Sequence, residues 1–245
     1  MKEILGTYGR RARFYPGAIV GLPLTSFVVV FLVAKPAWWS ALSSVLAGSG
    51  LSYLMAQAVR FRGGIGEEAR WTRWGGKPTT RLLRFAGAPN IVQVERWHRQ
   101  LQRLFPDEDI PNIDEEARDP KRADQVYDVV VRTLRTLTRG PAYRLVFDEN
   151  CEYGFRRNLL ALKGPAYLID CVSLLAVATL LVLDATVGLG ASVAALLAVS
   201  AVDLVLLIVQ RFVVNEGWVR SAAEKYANRL LEAVELLSRT TTAPK

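Results

Sequence analysis

The chain carries two apolar stretches near its carboxyl end, GPAYLIDCVSLLAVATLLVL (164–183) and ATVGLGASVAALLAVSAVDLVLLIVQ (185–210). Asp170 is the one charged residue in the first stretch, Asp203 is the one in the second, and Asp184 lies between them. A helix needs about 20 apolar residues to cross a hydrocarbon core of roughly 30 Å. The pattern therefore predicts a hairpin of two membrane-spanning helices over residues 164–210.

A second pair of uncharged stretches lies near the amino end. Residues 17–34 and 36–59 contain 18 and 24 residues without a charge, and only Lys35 separates them. A cleaved signal peptide is a poor interpretation, because another apolar stretch follows at once without a cleavage site of small residues. Core helices of a soluble protein would need a large partner to cover them. We therefore expect a first transmembrane hairpin at 17–59 and four spans in total.

The basic residues predict the orientation of these spans. The chain has a net charge of +8 although 51% of its residues are hydrophobic, a combination that is unusual for a soluble domain. Basic residues flank the spans on one side (Lys2, Arg10, Arg11, Arg13, Arg60, Arg62, Arg156, Arg157, Lys163, Arg211 and Arg220). The opposite turns hold only Lys35 and Asp184. The positive-inside rule then places both termini and residues 60–163 in the cytoplasm.

Residues 60–163 are predicted to form a mainly helical cytoplasmic domain. Apolar side chains recur at three- and four-residue spacing over Ile91–Phe105 and Asp124–Thr138, which predicts two amphipathic helices. Prolines at 106, 111 and 120 predict an acidic loop over 106–120. The segment AYRLVF (142–147) fits either a short strand or an extended lead-in to the next helix.

A long amphipathic helix is predicted over Glu216–Arg239, within the cytoplasmic tail 211–245. Its apolar stripe runs through Trp218, Ala222, Tyr226, Leu230, Ala233 and Leu237. This helix either packs on its own domain or mediates self-association. With a cytoplasmic segment at 1–16, the whole pattern predicts an all-α integral membrane protein in which two transmembrane hairpins flank the cytoplasmic domain.

The stretch WTRWGGKPTTRLLR (71–84) looks at first sight like a phosphate-binding loop. A Walker A sequence, G-x-x-x-x-G-K-[ST], requires a glycine where Trp71 stands, and here Pro78 follows the lysine. Proline has no N–H to donate, and it disfavours a helical conformation of the residue before it. The stretch is therefore not a Walker A loop, and no ATPase activity is expected.

The same stretch nevertheless has the residue types of an anion site. Trp71 and Trp74 can stack on bases, and Thr79 or Thr80 can cap a helix that begins near Arg81. Four basic side chains can meet phosphates (Arg73, Lys77, Arg81 and Arg84). Such a set suits a single-stranded oligonucleotide or a cyclic nucleotide. The alternative is a tryptophan pair packed at the membrane interface beside an ordinary capped helix.

Charge is divided sharply between two neighbouring segments. Residues 60–104 contain ten basic and three acidic residues, whereas residues 105–128 contain three basic and nine acidic residues. Either the acidic segment lies on the basic one and neutralises it, or the basic surface binds a polyanion while the acidic segment competes or contacts another subunit. Anionic lipid is a third partner, favoured for Arg60 and Arg62.

Two further basic residues, Arg156 and Arg157, lie in the segment DENCEYGFRRNLLALK that precedes the third span. Asp148 or Asn150 can cap a helix that ends at Gly164 and leads directly into that span. Movement of either arginine by a ligand would therefore move the span. The alternative is that both arginines anchor the helix at the cytoplasmic membrane surface.

Asp170 and Asp203 are the strongest functional indication, because an ionisable residue within a span is costly and usually faces a protein-lined or water-filled interior. At 1.5 Å per residue, both lie about 10–12 Å from the basic boundary set by Lys163 and Arg211. In an oligomer they would form an acidic ring, as in a cation pore. The alternative is that they hydrogen-bond to Ser, Thr or Gln of neighbouring helices and serve assembly alone.

Neither a catalytic nor a metal-binding arrangement is recognisable in the sequence. The one histidine, His98, follows Trp97 on a predicted helix and is interpreted as a surface or packed residue. Cys151 and Cys171 lie in a reducing compartment, which argues against a disulfide, and with one distant histidine they make no metal site. We expect neither enzymatic activity nor a cofactor.

The layout of the whole chain, together with WGGKPTT (74–80) and YGFRRN (153–158), resembles the small four-helix membrane effectors of bacterial nucleotide-signalled anti-phage defence. Within that group it resembles the Hailong type, whose effector is a channel controlled by short DNA oligomers made by a nucleotidyltransferase partner. The resemblance implies a homo-oligomer, with a tetramer favoured, in the bacterial inner membrane. It also implies gating by a nucleotide or a single-stranded oligonucleotide bound to the cytoplasmic domain.

The resulting hypothesis is that ligand phosphates pair with the four basic residues of 71–84 and with Arg156 or Arg157. Displacement of the helix that carries these arginines would then tilt the third span and reset Asp170 and Asp203. One alternative is a membrane-anchored scaffold that recruits a partner protein or anionic lipid. Another is a small proton-coupled transporter that uses the two acids, although the chain lacks broken helices and repeat symmetry.

Overall fold

The computed structural model of the chain describes residues 6–33, 57, 64, 66–188 and 192–242. These residues lie in helices or short connections, and none of them forms a strand. The all-α class is thereby confirmed. The chain divides into two compact units, a first unit of residues 1–65 and 151–219 and a second unit of residues 66–150 and 220–245.

The described helices, in chain order, are α1 (Thr7–Gly9), α2 (Tyr15–Val33), α3 (Glu67–Arg73), α4 (Pro78–Leu83), α5 (Ile91–Leu104), α6 (Ile113–Arg118), α7 (Pro120–Leu137), α8 (Arg144–Ala161), α9 (Lys163–Val187), α10 (Val193–Phe212) and α11 (Glu216–Thr242). A π-helical turn at Arg10–Phe14 joins α1 to α2, and a 3-10 turn at Pro141–Tyr143 precedes α8. The division between the units falls within α8 and within α11.

Among the residues described, α9 and α10 are the two helices long and apolar enough to cross a membrane. Gly188 ends α9 in a left-handed conformation with φ of 69°, which glycine adopts without a steric cost. Ser192 begins α10, where its side chain accepts a hydrogen bond from the Ala195 N–H. Asp184 therefore lies in the last turn of α9, whereas the sequence predicted it in the connection. The connection comes later because Gly188 supplies the left-handed residue that closes a helix.

The first predicted hairpin, 17–59, lies only partly within the described residues. Helix α2 covers its beginning and is helical to Val33, with Pro23 inside. Residues 34–56, which include the predicted turn at Lys35, lie outside the described part of the chain. The four-span prediction accordingly stays a prediction.

The first unit buries a narrow core and presents a wide apolar exterior. Helices α2, α9 and α10 pack on one another, with Val177, Leu196 and Val199 buried between them and Phe27 packed alongside. Ten large apolar side chains of α9 and α10 are more than half exposed (Leu168, Val172, Leu175, Val182, Val187, Leu197, Leu204, Val205, Ile208 and Phe212). The two long helices thus carry apolar side chains on the surface of the unit.

In the second unit the two predicted amphipathic helices are confirmed as α5 and α7. Asn90 caps α5 by accepting from the Gln93 N–H, and Asp119 caps α7 by accepting from the Arg122 N–H. Each helix buries a stripe at helical spacing (Val94, Trp97 and Leu101 on α5; Tyr127, Val130 and Leu134 on α7). Leu137 has the spacing that would continue the second stripe, but it is 46% exposed at the end of its helix.

Two local predictions for this unit are wrong. The acidic loop predicted over 106–120 contains helix α6, because Asn112 and Glu115 form a capping box that starts a helix between the prolines. The segment 142–147 is neither a strand nor extended, because it passes from the 3-10 turn directly into α8.

The ends of α8 also differ from prediction. The helix begins at Arg144, so neither Asp148 nor Asn150 caps it. It ends at Ala161 rather than at Gly164, and α9 begins at Lys163 after the single residue Leu162. Gly164 and the proline after it lie in the first turn of α9, where proline is tolerated because that N–H needs no helical partner. The long C-terminal helix is confirmed as α11, which extends slightly beyond its predicted end.

Candidate functional site

The stretch WTRWGGKPTTRLLR folds as a helix, a glycine turn and a second helix within the second unit. Gly75 and Gly76 have φ of 83° and 125°, which non-glycine residues rarely adopt. The Gly76 N–H donates to the Trp71 carbonyl at 2.7 Å and closes the turn. Helix α4 then begins at Pro78, so the prediction that Thr79 or Thr80 caps a helix near Arg81 is wrong. Proline fits the first helical position, and both threonines are buried inside the helix.

Two of the predicted phosphate-binding residues are paired with acidic residues of α7. The Nε and Nη2 atoms of Arg84 donate to the two carboxylate oxygens of Asp124 at 2.7 and 2.6 Å, and its Nη1 donates to the Gly75 carbonyl at 2.7 Å. Lys77 forms an ion pair with Asp128, which also accepts from the Thr80 hydroxyl at 2.9 Å. The hydrogen bond to Asp124 raises the pKa of Arg84 above its ordinary value. Asp124 and Asp128 of the acidic segment thus neutralise part of the basic one.

The remaining predicted ligand residues of this stretch have different surroundings. Arg81 forms an ion pair of 3.3 Å with Glu224, which also accepts from Arg220 at 2.8 Å. The Lys77 ammonium lies 5.5 Å from the centre of the Trp71 ring, while Arg73 is exposed. Trp74 is only 7% exposed, so its ring is not open to a base in this conformation. Trp71, the first residue of the stretch, is the tryptophan of this stretch that is partly accessible.

Arg156 and Arg157 belong to the first unit, whereas the 71–84 stretch belongs to the second. Arg156 donates from Nε to Glu152 at 2.7 Å and from Nη1 to the Trp218 carbonyl at 3.1 Å. Its guanidinium also lies 4.8 Å from the centre of the Trp218 ring. The Arg157 guanidinium lies 5.5 Å from the centre of the Tyr153 ring. Both side chains therefore contact aromatic rings within their own unit.

The two aspartates in the apolar stretches are buried inside the first unit. Asp170 is 1% exposed and Asp203 is 0% exposed, although they lie on helices with apolar exteriors. The Gln210 amide nitrogen donates to Asp170 Oδ2 at 2.7 Å across the α9–α10 pair. Ser173, one turn beyond Asp170, is buried as well. We call these four residues, Asp170, Ser173, Asp203 and Gln210, the polar cluster.

A third buried carboxylate, Glu116, organises the interior of the second unit. It accepts hydrogen bonds from the Phe85 and Ala86 N–H groups at 3.0 and 2.9 Å and from the Tyr127 hydroxyl at 2.7 Å. Burial and the bond to Glu116 raise the pKa of Tyr127, which keeps its hydroxyl protonated as a donor. Three separate parts of the chain therefore meet at one side chain.

His98 lies beside this network. Its Nε2 is 2.8 Å from the Leu83 carbonyl, and its ring is in edge contact with the rings of Phe85 and Tyr127. Burial lowers the pKa of His98 below its ordinary value. The neutral tautomer with a proton on Nε2 satisfies the carbonyl. The interpretation of His98 as a packed histidine is confirmed.

Sequence reasoning missed the partners of most predicted site residues. Asp124, Asp128 and Glu224 were not singled out, although the sequence did indicate that an acidic segment can neutralise a basic one. Ser173 and Gln210 were missed as companions of the two aspartates. Their spacing is the signal that points to them, because Ser173 follows Asp170 by three residues and Gln210 follows Asp203 by seven, so each pair shares a helix face.

No known protein family, curated protein sequence or solved structure matches this chain significantly.

Proposed function

We propose that this chain is a multi-pass inner-membrane protein that provides a pathway for ions, controlled by a nucleotide or short single-stranded oligonucleotide bound on the cytoplasmic side. The observation that carries the proposal is the contrast within α9 and α10, which expose large apolar side chains while burying Asp170 and Asp203. In a bilayer that exterior meets hydrocarbon at no cost. A buried acid is costly there, and such residues usually serve transport, assembly or ligand binding.

The burial of both aspartates bears on where ions would pass. An acidic ring between subunits requires carboxylates on the surface of each protomer. Asp170 and Asp203 are instead enclosed within a single chain, at 1% and 0% exposure. In this proposal, ions therefore pass through the interior of one protomer, or the helices rotate before a shared pore forms. The homo-oligomer, the nucleotidyltransferase partner and the role in anti-phage defence rest on the family resemblance.

Control by a polyanion implies a competition at the 71–84 stretch. Because Asp124 and Asp128 already pair with Arg84 and Lys77, ligand phosphates must displace two carboxylates before binding these side chains. Removing one carboxylate charge should then strengthen binding. A partly exposed ion pair is worth about 0.2–1 kcal/mol, or roughly 1.5- to 5-fold in affinity.

The ligand part of the proposal is tested by oligonucleotide binding to the purified full chain. We expect Asp128→Asn to tighten binding of a fluorescent single-stranded DNA oligomer and Lys77→Ala to weaken it. Affinity should also fall with increasing salt, as phosphate contacts require. Glu95→Gln, which alters an exposed carboxylate on α5, is the control for net charge. Equal affinities for Asp128→Asn and Glu95→Gln would contradict a site at Lys77.

The ion pathway is tested by flux into liposomes that contain the purified protein, with and without candidate oligonucleotides. Asp203→Asn and Asp170→Asn should change the flux strongly, because each removes a charge from the interior of the bundle. Asp184→Asn, the same change in the last turn of α9, should leave the flux unchanged. Absence of flux under every ligand condition, or equal flux in all three variants, would refute the pathway.

A membrane-anchored scaffold is the second candidate, and the pairing of Lys77 and Arg84 favours it. Basic residues that are already paired with carboxylates of the same chain can form part of a surface that binds a partner protein, without binding a polyanion. This candidate predicts neither flux nor salt-dependent oligonucleotide binding. The two experiments above therefore separate it from the channel.

A further inference from the structure

The polar cluster places four side chains on facing surfaces of α9 and α10. Asp170 and Ser173 are three residues apart on one helix, and Asp203 and Gln210 are seven apart on the other, so each pair lies on one face. The hydrogen bond of 2.7 Å between Gln210 Nε2 and Asp170 Oδ2 sets the register of the two helices. The two carboxylates are close enough to interact electrostatically, and Ser173 lies beside Asp203.

Four oxygens of this cluster are buried without a hydrogen-bond partner among the described residues: Asp203 Oδ1, Asp203 Oδ2, Ser173 Oγ and Gln210 Oε1. Their residues are at most 5% exposed. Carboxylate and amide oxygens only accept hydrogen bonds, and a serine hydroxyl oxygen offers lone pairs as well. The cluster therefore has a surplus of acceptors.

The two cationic side chains of these helices, Lys163 and Arg211, lie at the helix ends, where Lys163 donates to the Val214 carbonyl at 2.6 Å and Arg211 lies against the Phe212 ring. Residues 164–210 contain neither lysine nor arginine, and the one histidine of the chain is His98 in the second unit. Buried charges in proteins are normally paired or bound to a metal ion. Buried oxygen atoms that receive no hydrogen bond are the ligand type that hard cations prefer.

We propose that the polar cluster binds a monovalent alkali cation, held by Asp203 and Ser173 and neighboured by the Asp170–Gln210 pair. This inference rests on the ion pathway proposed above and names the class of ion. The Asp203 carboxylate, which has no cationic partner among the described residues, balances a single positive charge, while Asp170 is engaged with Gln210. Calcium takes six to eight oxygen ligands and magnesium keeps several waters in an octahedral shell, so the few dry oxygens of Asp203 and Ser173 fit neither well.

The test is the thermal stability of the purified full chain in detergent as a function of NaCl, KCl or LiCl. N-methylglucamine chloride keeps the ionic strength constant, so that screening does not change. A ligand that binds only the folded state raises the melting temperature in proportion to the logarithm of its concentration above Kd. We expect at least one alkali ion to raise it by several degrees over a hundredfold concentration range, with no such rise for N-methylglucamine alone.

Variants locate the effect. Asp203→Asn should abolish the cation-dependent rise, Ser173→Ala should shift it to higher concentration by about tenfold, and Asp184→Asn should leave it unchanged. Because Asp203→Asn can impair folding, the second measurement compares wild type and Ser173→Ala in direct binding of whichever alkali ion raises the melting temperature most. A melting temperature that does not change with the concentration of any alkali ion would overturn the site. A cation-dependent rise in melting temperature that is retained in Asp203→Asn would overturn it as well. Cation binding without liposome flux would support the cation site and contradict the ion pathway. Flux without cation binding would support the pathway and contradict the site.

Discussion

At Glu116, one carboxylate accepts hydrogen bonds from two backbone N–H groups and from the Tyr127 hydroxyl. A buried carboxylate is tolerated when its lone pairs are filled in this way. Asp203 is the opposite case, because it is equally buried and neither of its oxygens has a partner among the described residues. The same chemical group therefore stabilises the second unit and marks a candidate ligand site in the first.

His98 gives a pH prediction with a definite sign. Because burial lowers its pKa, the unfolded chain binds more protons than the folded chain just below the ordinary value of about 6.5. The contribution to stability is complete above that pH and is lost as the pH falls towards the folded-state value. We expect the melting temperature to fall from about pH 7 to about pH 5, and to fall less in His98→Gln, which keeps an N–H donor for the Leu83 carbonyl.

The direct measurement is an NMR titration of the imidazole. His98 is the only histidine in the chain, so the signal needs no assignment. A titration midpoint at or above the ordinary value, or the same pH dependence in His98→Gln as in wild type, would contradict the prediction.

Within α8, Gly154 packs closely against Tyr8 and Ala12 of the N-terminal segment. A Cβ atom added there would lie 2.9 Å from Ala12 Cβ and 2.9 Å from the Tyr8 hydroxyl. One turn further on, the Asn158 amide donates to the Ala12 carbonyl, so the two segments cannot separate freely. Overpacking at such a contact costs about 1–3 kcal/mol. We expect Gly154→Ala to lower the melting temperature of the purified protein by several degrees.

Gly164→Ala is the matched control for this prediction. An added Cβ at Gly164 meets nothing within 4 Å, and alanine is the better helix former by about 1 kcal/mol. This variant should melt at or above the wild-type temperature. Equal losses in the two variants would show that helix position, rather than the contact with Ala12, determines the effect.

The sequence predicted an element well where the pattern that indicates it lies within that element's own residues. Helices α5, α7 and α11 follow from apolar periodicity, and α9 and α10 follow from their long apolar runs. The start of α4 was missed because proline at its first position outweighs the threonines as a start signal. The ion pairs were missed for another reason, since Asp124 lies 40 residues from Arg84 and Glu224 lies 143 from Arg81. Such pairs leave no local pattern in a single sequence.

For the whole molecule, the distribution of basic residues predicts one topology. If 60–163 and both termini are cytoplasmic, a green fluorescent protein fused after Lys245 will fluoresce, and alkaline phosphatase fused there will be inactive. Alkaline phosphatase fused after Lys35 or Gly188 should be active, because both connections would face the periplasm. Active phosphatase after Lys245 would contradict the predicted orientation.

Leu162 separates α8 from α9 by a single residue. It is 1% exposed, and its N–H lies 3.1 Å from the Asn158 carbonyl and 3.2 Å from the Leu159 carbonyl. One helical residue corresponds to about 100° of rotation, so inserting one amino acid at this junction would turn α9 by that angle relative to α8. Asp170 and Ser173 would then leave the face opposite Asp203 and Gln210. They could stay there only if α8 turned instead, which would break the hydrogen bond from the Asn158 amide to the Ala12 carbonyl. The chain length at this junction therefore fixes the rotation of α9 on which the polar cluster depends.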